Sequence, residues 1–230
     1  EAGETGEAGA TAAAAGGGES GEAGAASAYA GLSGDQLTAL RLLHLKGFIM
    51  IAARVADNDQ SLEAGVLVQQ GLLEVYDVAP DQFGSLTVAT IRSASEGESV
   101  NRAQLLQRLR GAEAEIDRAL GELNDVDYAI ATARMIDIAT GLYQSVNQAD
   151  FVDPIEYQHS MGAALAARDA LTKGRSVLRQ SNASAYNEAE SQASAFVALW
   201  REPTAPERPA SYRDVLAQGS RVRLALSPYL

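Results

Sequence analysis

Residues 33–56 read SGDQLTALRLLHLKGFIMIAARVA, and this stretch decides the fold class. Ser33 is a good N-cap residue, and Asp35 lies in the first turn, where the helix dipole favours a negative charge. Apolar positions and one histidine then recur at spacings of three and four: Leu37, Leu40, His44, Phe48, Ile51 and Val55. This spacing predicts an amphipathic helix over residues 34–56, and it places His44 on the inward face.

The rest of the chain repeats this helical pattern. No segment alternates between apolar and polar residues as a half-buried strand does. Start signals and apolar spacing predict further helices over about residues 62–77, 86–95, 100–122, 126–147, 154–180, 184–200 and 212–226. We therefore predict an all-α fold over residues 32–230, a bundle of six to eight mostly antiparallel helices with a low-complexity N-terminal extension.

The predicted helix over residues 62–77 is apolar nearly all round, which is typical of a helix at the centre of a bundle. Its polar side chains form one narrow strip: Glu63, Gln70, Glu74 and Asp77. Two interpretations stay open. The strip is the solvent edge of the helix, or the carboxylates of Glu63, Glu74 and Asp77 bind a hard divalent cation or a basic partner surface.

The N-terminal extension, residues 1–31, differs sharply in composition from the rest. Residues 1–30 hold 12 Ala, 8 Gly and 5 Glu, without any Lys or Arg. Such a segment cannot bury enough apolar surface to fold alone, so it either stays solvated or orders against a protein partner. The side chains predicted to contact that partner are Glu4, Glu7, Glu19, Glu22 and Tyr29. The start without Met suits either a mature chain whose signal peptide was removed or simply an arbitrary boundary of the sequence; removal would imply export.

Charge and composition exclude several classes of protein. The net charge of −12, from 18 basic and 30 acidic residues, argues against binding to nucleic acid or anionic lipid. The lack of an apolar run near 20 residues predicts no transmembrane segment, and the lack of cysteine excludes disulfides and thiolate metal sites.

Residues 201–230 carry five Arg against three acidic residues, so the two ends of the chain have opposite charge. They would attract within one molecule or between neighbours, although a solvated mixed-charge terminus is the simpler interpretation.

The chain has only two histidines, and neither belongs to a catalytic grouping. His44 is either a core residue with one hydrogen-bond partner or a ligand of a metal or haem. Glu156 and His159 have the i, i+3 spacing of di-iron bundles, but a matching second pair is missing. The helical pattern places His159 away from the predicted inner stripe, so capping and solvation explain this pair. With no Ser/His/Asp grouping and no phosphate-binding glycine loop, we predict a protein that is not an enzyme.

A Leu-rich run before Gly47 and a Glu-x-Tyr ending at Tyr76 give the chain a family resemblance. Over residues 20–90 it resembles a group of uncharacterised exported helical proteins of alphaproteobacteria. In that group a His follows the Gly, and H-x-x-H-P precedes Glu-x-Tyr; here Phe48 and residues 67–71 (LVQQG) stand at those places. The resemblance implies a helical scaffold, rather than a catalyst, that has lost those histidines. More loosely, the chain resembles imelysin-like envelope proteins, without their G-x-H-x-x-E motif.

Together these observations predict a non-enzymatic accessory or structural subunit of a bacterial cell-envelope or surface assembly. It is expected in the periplasm or at the cell surface, without a cofactor, binding a protein partner through the acidic extension. The alternative is a periplasmic protein that binds a divalent metal or haem through Glu63, Glu74, Asp77 or His44.

Overall fold

The chain folds into a bundle of helices. The computed structural model describes residues 27–58, 60–96, 100–148 and 151–230. These residues form eight α-helices: α1 (Gly34–Asp57), α2 (Ser61–Gly71), α3 (Val88–Ser95), α4 (Arg102–Gly121), α5 (Tyr128–Tyr143), α6 (Pro154–Lys173), α7 (Arg175–Val197) and α8 (Tyr212–Leu226). The same residues also form two short 3₁₀ helices, Pro80–Gln82 and Ser227–Tyr229. The β-type pairing within these residues is a single bridge between Asn147 and Val152. The predicted all-α bundle is confirmed.

Side-chain caps start several helices but not α1, where Ser33 occupies the predicted N-cap position without a side-chain hydrogen bond to the helix. The Asp153 carboxylate accepts hydrogen bonds from the backbone N–H groups of Ile155 and Glu156, at the first turn of α6. Ser211 caps α8 in the same way through the N–H of Asp214. These bonds satisfy donors that the helix itself leaves without a partner, and so they define where each helix begins.

α6 ends earlier than the sequence suggests. It stops at Lys173, and α7 begins at Arg175, so that one glycine separates the two helices. The break expected near residues 180–184 is present as a kink at Asn182, whose non-helical backbone angles divide α7 into two helical segments. The Tyr229 hydroxyl donates a hydrogen bond to the Asn182 carbonyl oxygen at 2.5 Å, and this contact stabilises the kink from the C-terminal end of the chain.

The centre of the bundle is the crossing of α1 and α6. α6 packs against α1, α5 and α7, and every residue from 156 to 167 is buried. At the crossing, Gly47 and Gly162 bring the two backbones together: a Cβ atom on Gly162 would lie 2.6 Å from the Gly47 carbonyl oxygen. Glycine at both positions is what permits this close approach.

The prediction that the helix over residues 62–77 lies at the centre is wrong. α2 lies at the edge of the bundle, packed against α1 and α3. Its buried side holds small residues, Ala64, Gly65 and Gly71, which let α2 approach its neighbours closely. Because the apolar side chains surround this helix, their pattern did not indicate which side packs.

The described chain begins with residues that already pack on the bundle. Ala28 is buried, and the Arg134 guanidinium donates a hydrogen bond to the Ala30 carbonyl oxygen at 3.3 Å. Residues 27–31, which we assigned to the extension, therefore contact the helices. The predicted partner contacts Glu4, Glu7, Glu19 and Glu22 lie outside the described residues. In the part of the chain that the structure describes, no helix has the length and apolar character needed to cross a membrane.

Candidate functional site on α2

The outward side of α2 is apolar. Four residues share this side along α2 and the π-helical turn that continues it: Leu62, Val66, Gln69 and Leu73, which we name the α2 face. The three apolar side chains keep 50–59% of their surface exposed. Single exposed apolar residues are ordinary on protein surfaces, whereas three in one row on one helix indicate a contact surface.

The acidic strip lies beside this face: Glu74 and Asp77 are exposed, as expected of a solvent edge, whereas Glu63 and Gln70 are half-buried. Glu63 is half-buried and accepts hydrogen bonds from the side-chain amides of Gln60, at 2.8 Å, and Gln158. Glu74 faces His159, and Asp77 forms an ion pair with Arg92 at 3.0 Å. The three carboxylates therefore have three different sets of neighbours.

The structure does not gather these carboxylates into a metal centre. Among the described residues, no group of three or more His, Asp or Glu side chains has an arrangement that could hold a metal ion. Metal binding by Glu63, Glu74 and Asp77, or metal or haem binding by His44, stays a prediction without an observation that favours it.

α2 changes its helical form where it meets the bundle interior. It continues into a π-helix, Leu72–Tyr76, a rare form that is frequent at functional sites. Just before this segment, Gly71 lies against Phe48 of α1, and a Cβ atom on Gly71 would be 2.7 Å from the Phe48 Cβ. The sequence carries no signal for the π-helix, because it differs from an α-helix only in its hydrogen-bond register.

Behind the α2 face lies a row of ring side chains, which we name the histidine layer: Tyr29, His44, Phe48 and His159. The Tyr29 hydroxyl and the His44 Nδ1 share a hydrogen bond at 2.6 Å. The Phe48 ring lies between the two imidazoles, with centroid distances of 5.7 Å to His44 and 4.7 Å to His159. His159 Nε2 donates to the Gln70 Oε1 at 3.1 Å, so the layer joins the first described residues to α2.

Two predictions about this layer have clear outcomes. His44 is buried and has a hydrogen-bond partner, as expected of a core histidine. The outward orientation expected for His159 is wrong: both His159 and Glu156 are buried. The prediction assumed that α6 has an outer face, but residues 156–167 of α6 are all buried. Tyr29, which was predicted to contact a partner, forms its hydrogen bond with His44 of the same chain.

Burial keeps both imidazoles neutral. It lowers the pKa of His44 to about 3, with His159 and Arg41 adding to the effect. Burial also lowers the pKa of His159 to about 4, although Asp153 acts in the opposite direction. His159 Nδ1 and Glu74 Oε2 lie 3.7 Å apart, but the two side chains do not form an ion pair at neutral pH because the imidazole is uncharged.

We expect this burial to make the protein less stable in mild acid. The unfolded chain binds protons at histidine near pH 6.5, whereas the folded chain does not, so the free energy of unfolding falls as pH drops below 6.5. At pH 5 each histidine lowers the free energy of unfolding by about 2 kcal/mol. Urea denaturation at pH 7 and pH 5 measures the loss, and the variant His44→Gln/His159→Gln should lose most of it. An equal pH dependence in the variant would contradict this explanation.

A second polar cluster was missed by the sequence analysis. It contains the two lysines of the chain and three carboxylates, and we name it the lysine cluster: Lys46, Lys173, Glu113, Asp117 and Asp169. The Lys46 side chain is 1% exposed, and its Nζ donates to the carboxylates of Asp117 at 2.7 Å and Asp169 at 2.6 Å. The available signal was a lysine inside the apolar run of α1, which needs buried counter-charges.

The lysine cluster holds a permanent charge. Burial alone would lower the pKa of Lys46, but the hydrogen bonds with Asp117 and Asp169 outweigh burial and raise that pKa. A lysine that stays protonated serves neither as a nucleophile nor as a base at neutral pH. We therefore assign the cluster a structural role, in which it joins α1, α4 and α6.

Comparisons of the chain with protein-family models, with curated proteins and with solved structures find no match.

Proposed function

We propose that this protein is a non-enzymatic binding subunit of an assembly, and that the α2 face docks a helix of a protein partner. The observation that carries the proposal is the row of Leu62, Val66 and Leu73, each about half exposed along one side of one helix. A helix that presents apolar side chains at such spacing fits a second amphipathic helix laid along it.

The charge around the α2 face defines the partner's chemistry. Residues 55–91 hold six acidic side chains and no Lys or Arg, although Arg92 pairs with Asp77 and Arg102 with Asp57. Glu63 and Glu74 give the edge of the α2 face its acidic character. Apolar contact supplies the affinity of such a surface, and the acidic side chains at its edge favour a partner with basic side chains. We therefore propose a partner helix whose apolar stripe is flanked by Lys or Arg.

The acidic extension is a poor occupant of this face, because it carries the same charge sign. It is proposed instead as a second contact for a basic partner, through Glu4, Glu7, Glu19 and Glu22. Location in the periplasm or at the cell surface is a proposal supported by the resemblance to exported helical proteins.

A titration with a designed peptide tests the proposal. The probe is a fluorescent amphipathic peptide of about 20 residues, a length at which helices become populated, with Leu on one face and Arg beside it. We expect it to bind the full-length protein, and the variant Leu62→Glu/Leu73→Glu to bind at least about tenfold more weakly, a loss of about 1.4 kcal/mol or more. Fluorescence anisotropy measures both affinities.

Two controls make this titration specific. Val177→Glu changes an apolar residue on α7 that is 69% exposed, and it should leave the affinity unchanged. A peptide with Glu in place of every Arg should bind weakly to the unaltered protein, because like charges then meet at the rim. Equal binding of the Arg peptide to the unaltered protein and to the Leu62→Glu/Leu73→Glu variant would contradict the proposal.

A further inference from the structure

The outer side of α8 is a second exposed apolar surface, and it carries the opposite charge. Leu216 and Leu224 are 45% and 74% exposed, and they lie on the same side of the helix as Arg213. Ala217 and Arg221 are exposed beside them. We name these five residues the α8 face.

The positive charge of α8 exceeds its negative charge. The helix contains three Arg and one Asp, and the carboxylate of that residue, Asp214, accepts a hydrogen bond from the Ser211 hydroxyl at 2.6 Å. Arg223 forms an ion pair with Asp137 of α5, and the Arg221 guanidinium donates to the Gln218 side chain at 2.8 Å. Arg221 and Arg223 are thus held in place on α8, and Arg213 is exposed on the same side as Leu216 and Leu224.

The α2 face and the α8 face have complementary chemistry. One is an apolar row beside Glu63 and Glu74, and the other is an apolar row beside Arg213 and Arg221. Their apolar rows have similar lengths, about 16 Å from Leu62 to Leu73 and about 12 Å from Leu216 to Leu224 at helical rise. The α8 face therefore has the features that the proposed function requires of a partner: a helix, an exposed apolar row and flanking arginines.

We infer that the α2 face of one copy docks on the α8 face of a second copy of this chain. The inference rests on the proposed function and names its partner. α2 packs on α1 and α3, whereas α8 packs on α5 and α7, so the two faces belong to different parts of the bundle. A pair of copies joined in this way still has one α2 face and one α8 face available to bind further copies.

A symmetric contact between two α2 faces fits the charges less well. It would bring Glu63 and Glu74 of one copy near the same residues of the other, and like charges at an interface weaken it. The contact between α2 and α8 is of the heterologous kind, in which each copy uses two different surfaces. Such contacts produce rings where the rotation closes and open chains where it does not.

Sedimentation velocity on the full chain tests the inference. We expect the mass to rise with protein concentration beyond that of a dimer, and the rise to weaken in high salt because the rim charges are screened. The variants Leu62→Glu/Leu73→Glu and Leu216→Glu/Leu224→Glu each lose one face, so each alone should associate at least about tenfold more weakly.

Mixing these two variants is the decisive step. Each retains the face that the other lacks, so the mixture should form a one-to-one pair and stop there. Formation of that pair also shows that both variants are folded. Val177→Glu should associate like the unaltered protein.

Three results would overturn the inference: a mixture that stays monomeric, association that persists when either face is altered, or an unaltered chain that is monomeric at every concentration. In the last case the peptide titration separates the two ideas. If the α2 face binds the Arg peptide, the proposed function stands and the partner is a different protein; if it does not, both fail.

Discussion

Replacing both Asp117 and Asp169 by asparagine should lower the free energy of unfolding by about 3 kcal/mol or more. These two carboxylates hold the ammonium of Lys46, which is almost entirely removed from solvent. Without them the nearest carboxylate to the Lys46 Nζ is that of Glu113, at 3.6 Å. A buried charge that has lost its partners costs several kcal/mol, far more than the loss of a surface ion pair. Urea denaturation of the Asp117→Asn/Asp169→Asn variant measures the effect.

The control is to remove the buried charge as well. Adding Lys46→Met to the two asparagine substitutions replaces the ammonium with an apolar side chain of similar length, and stability should return in large part. A comparison of the double and triple variants isolates the buried charge from any loss of packing. If Lys46→Met brings no recovery, the charge of Lys46 does not account for the loss.

Gly162→Ala should lower the free energy of unfolding by about 2–3 kcal/mol. The added methyl group would lie 2.6 Å from the Gly47 carbonyl oxygen and 3.1 Å from the Ile51 Cγ2, so α1 and α6 have to move apart. α1 and α6 pack extensively against each other at this crossing. Thermal or urea denaturation, followed by circular dichroism, measures the change.

The matched control is Gly111→Ala, a glycine in the middle of α4 with no atom within 4 Å of the added methyl group. This substitution should raise stability by about 0.5–1 kcal/mol, because alanine is the better helix former. Opposite signs for the two substitutions would show that packing at the α1–α6 crossing, and not helix propensity, decides the result. A stabilising Gly162→Ala would contradict the close approach of the two helices.

The positions of the helices could be predicted because their signals are local. Spacings of three and four, an aspartate before proline at α6 and a serine before α8 are all contained within one or two turns. The orientation of α2 could not be predicted, since its leucines and valines surround the helix. The better signal was the small residues: Ala64, Gly65 and Gly71 lie together on the packed side.

The polar sites depended on contacts between distant parts of the chain. Lys46 meets Asp117 and Asp169 across 71 and 123 residues, and His159 meets Gln70 across 89. No pattern along the sequence joins such positions until the helices are packed. The burial of His159 could not be predicted for the same reason, because it depends on how many helices surround α6.

The most direct test of the central claim is the accessibility of the α2 face while a partner is bound. The chain has no cysteine, so Leu73→Cys and Val177→Cys each introduce one thiol on an exposed position. The measurement is the rate of thiol labelling with and without a saturating amount of the Arg peptide. The account predicts that the peptide slows labelling at residue 73 by about tenfold or more and leaves residue 177 unchanged. Equal labelling rates at residue 73 with and without bound peptide would show that the partner docks elsewhere.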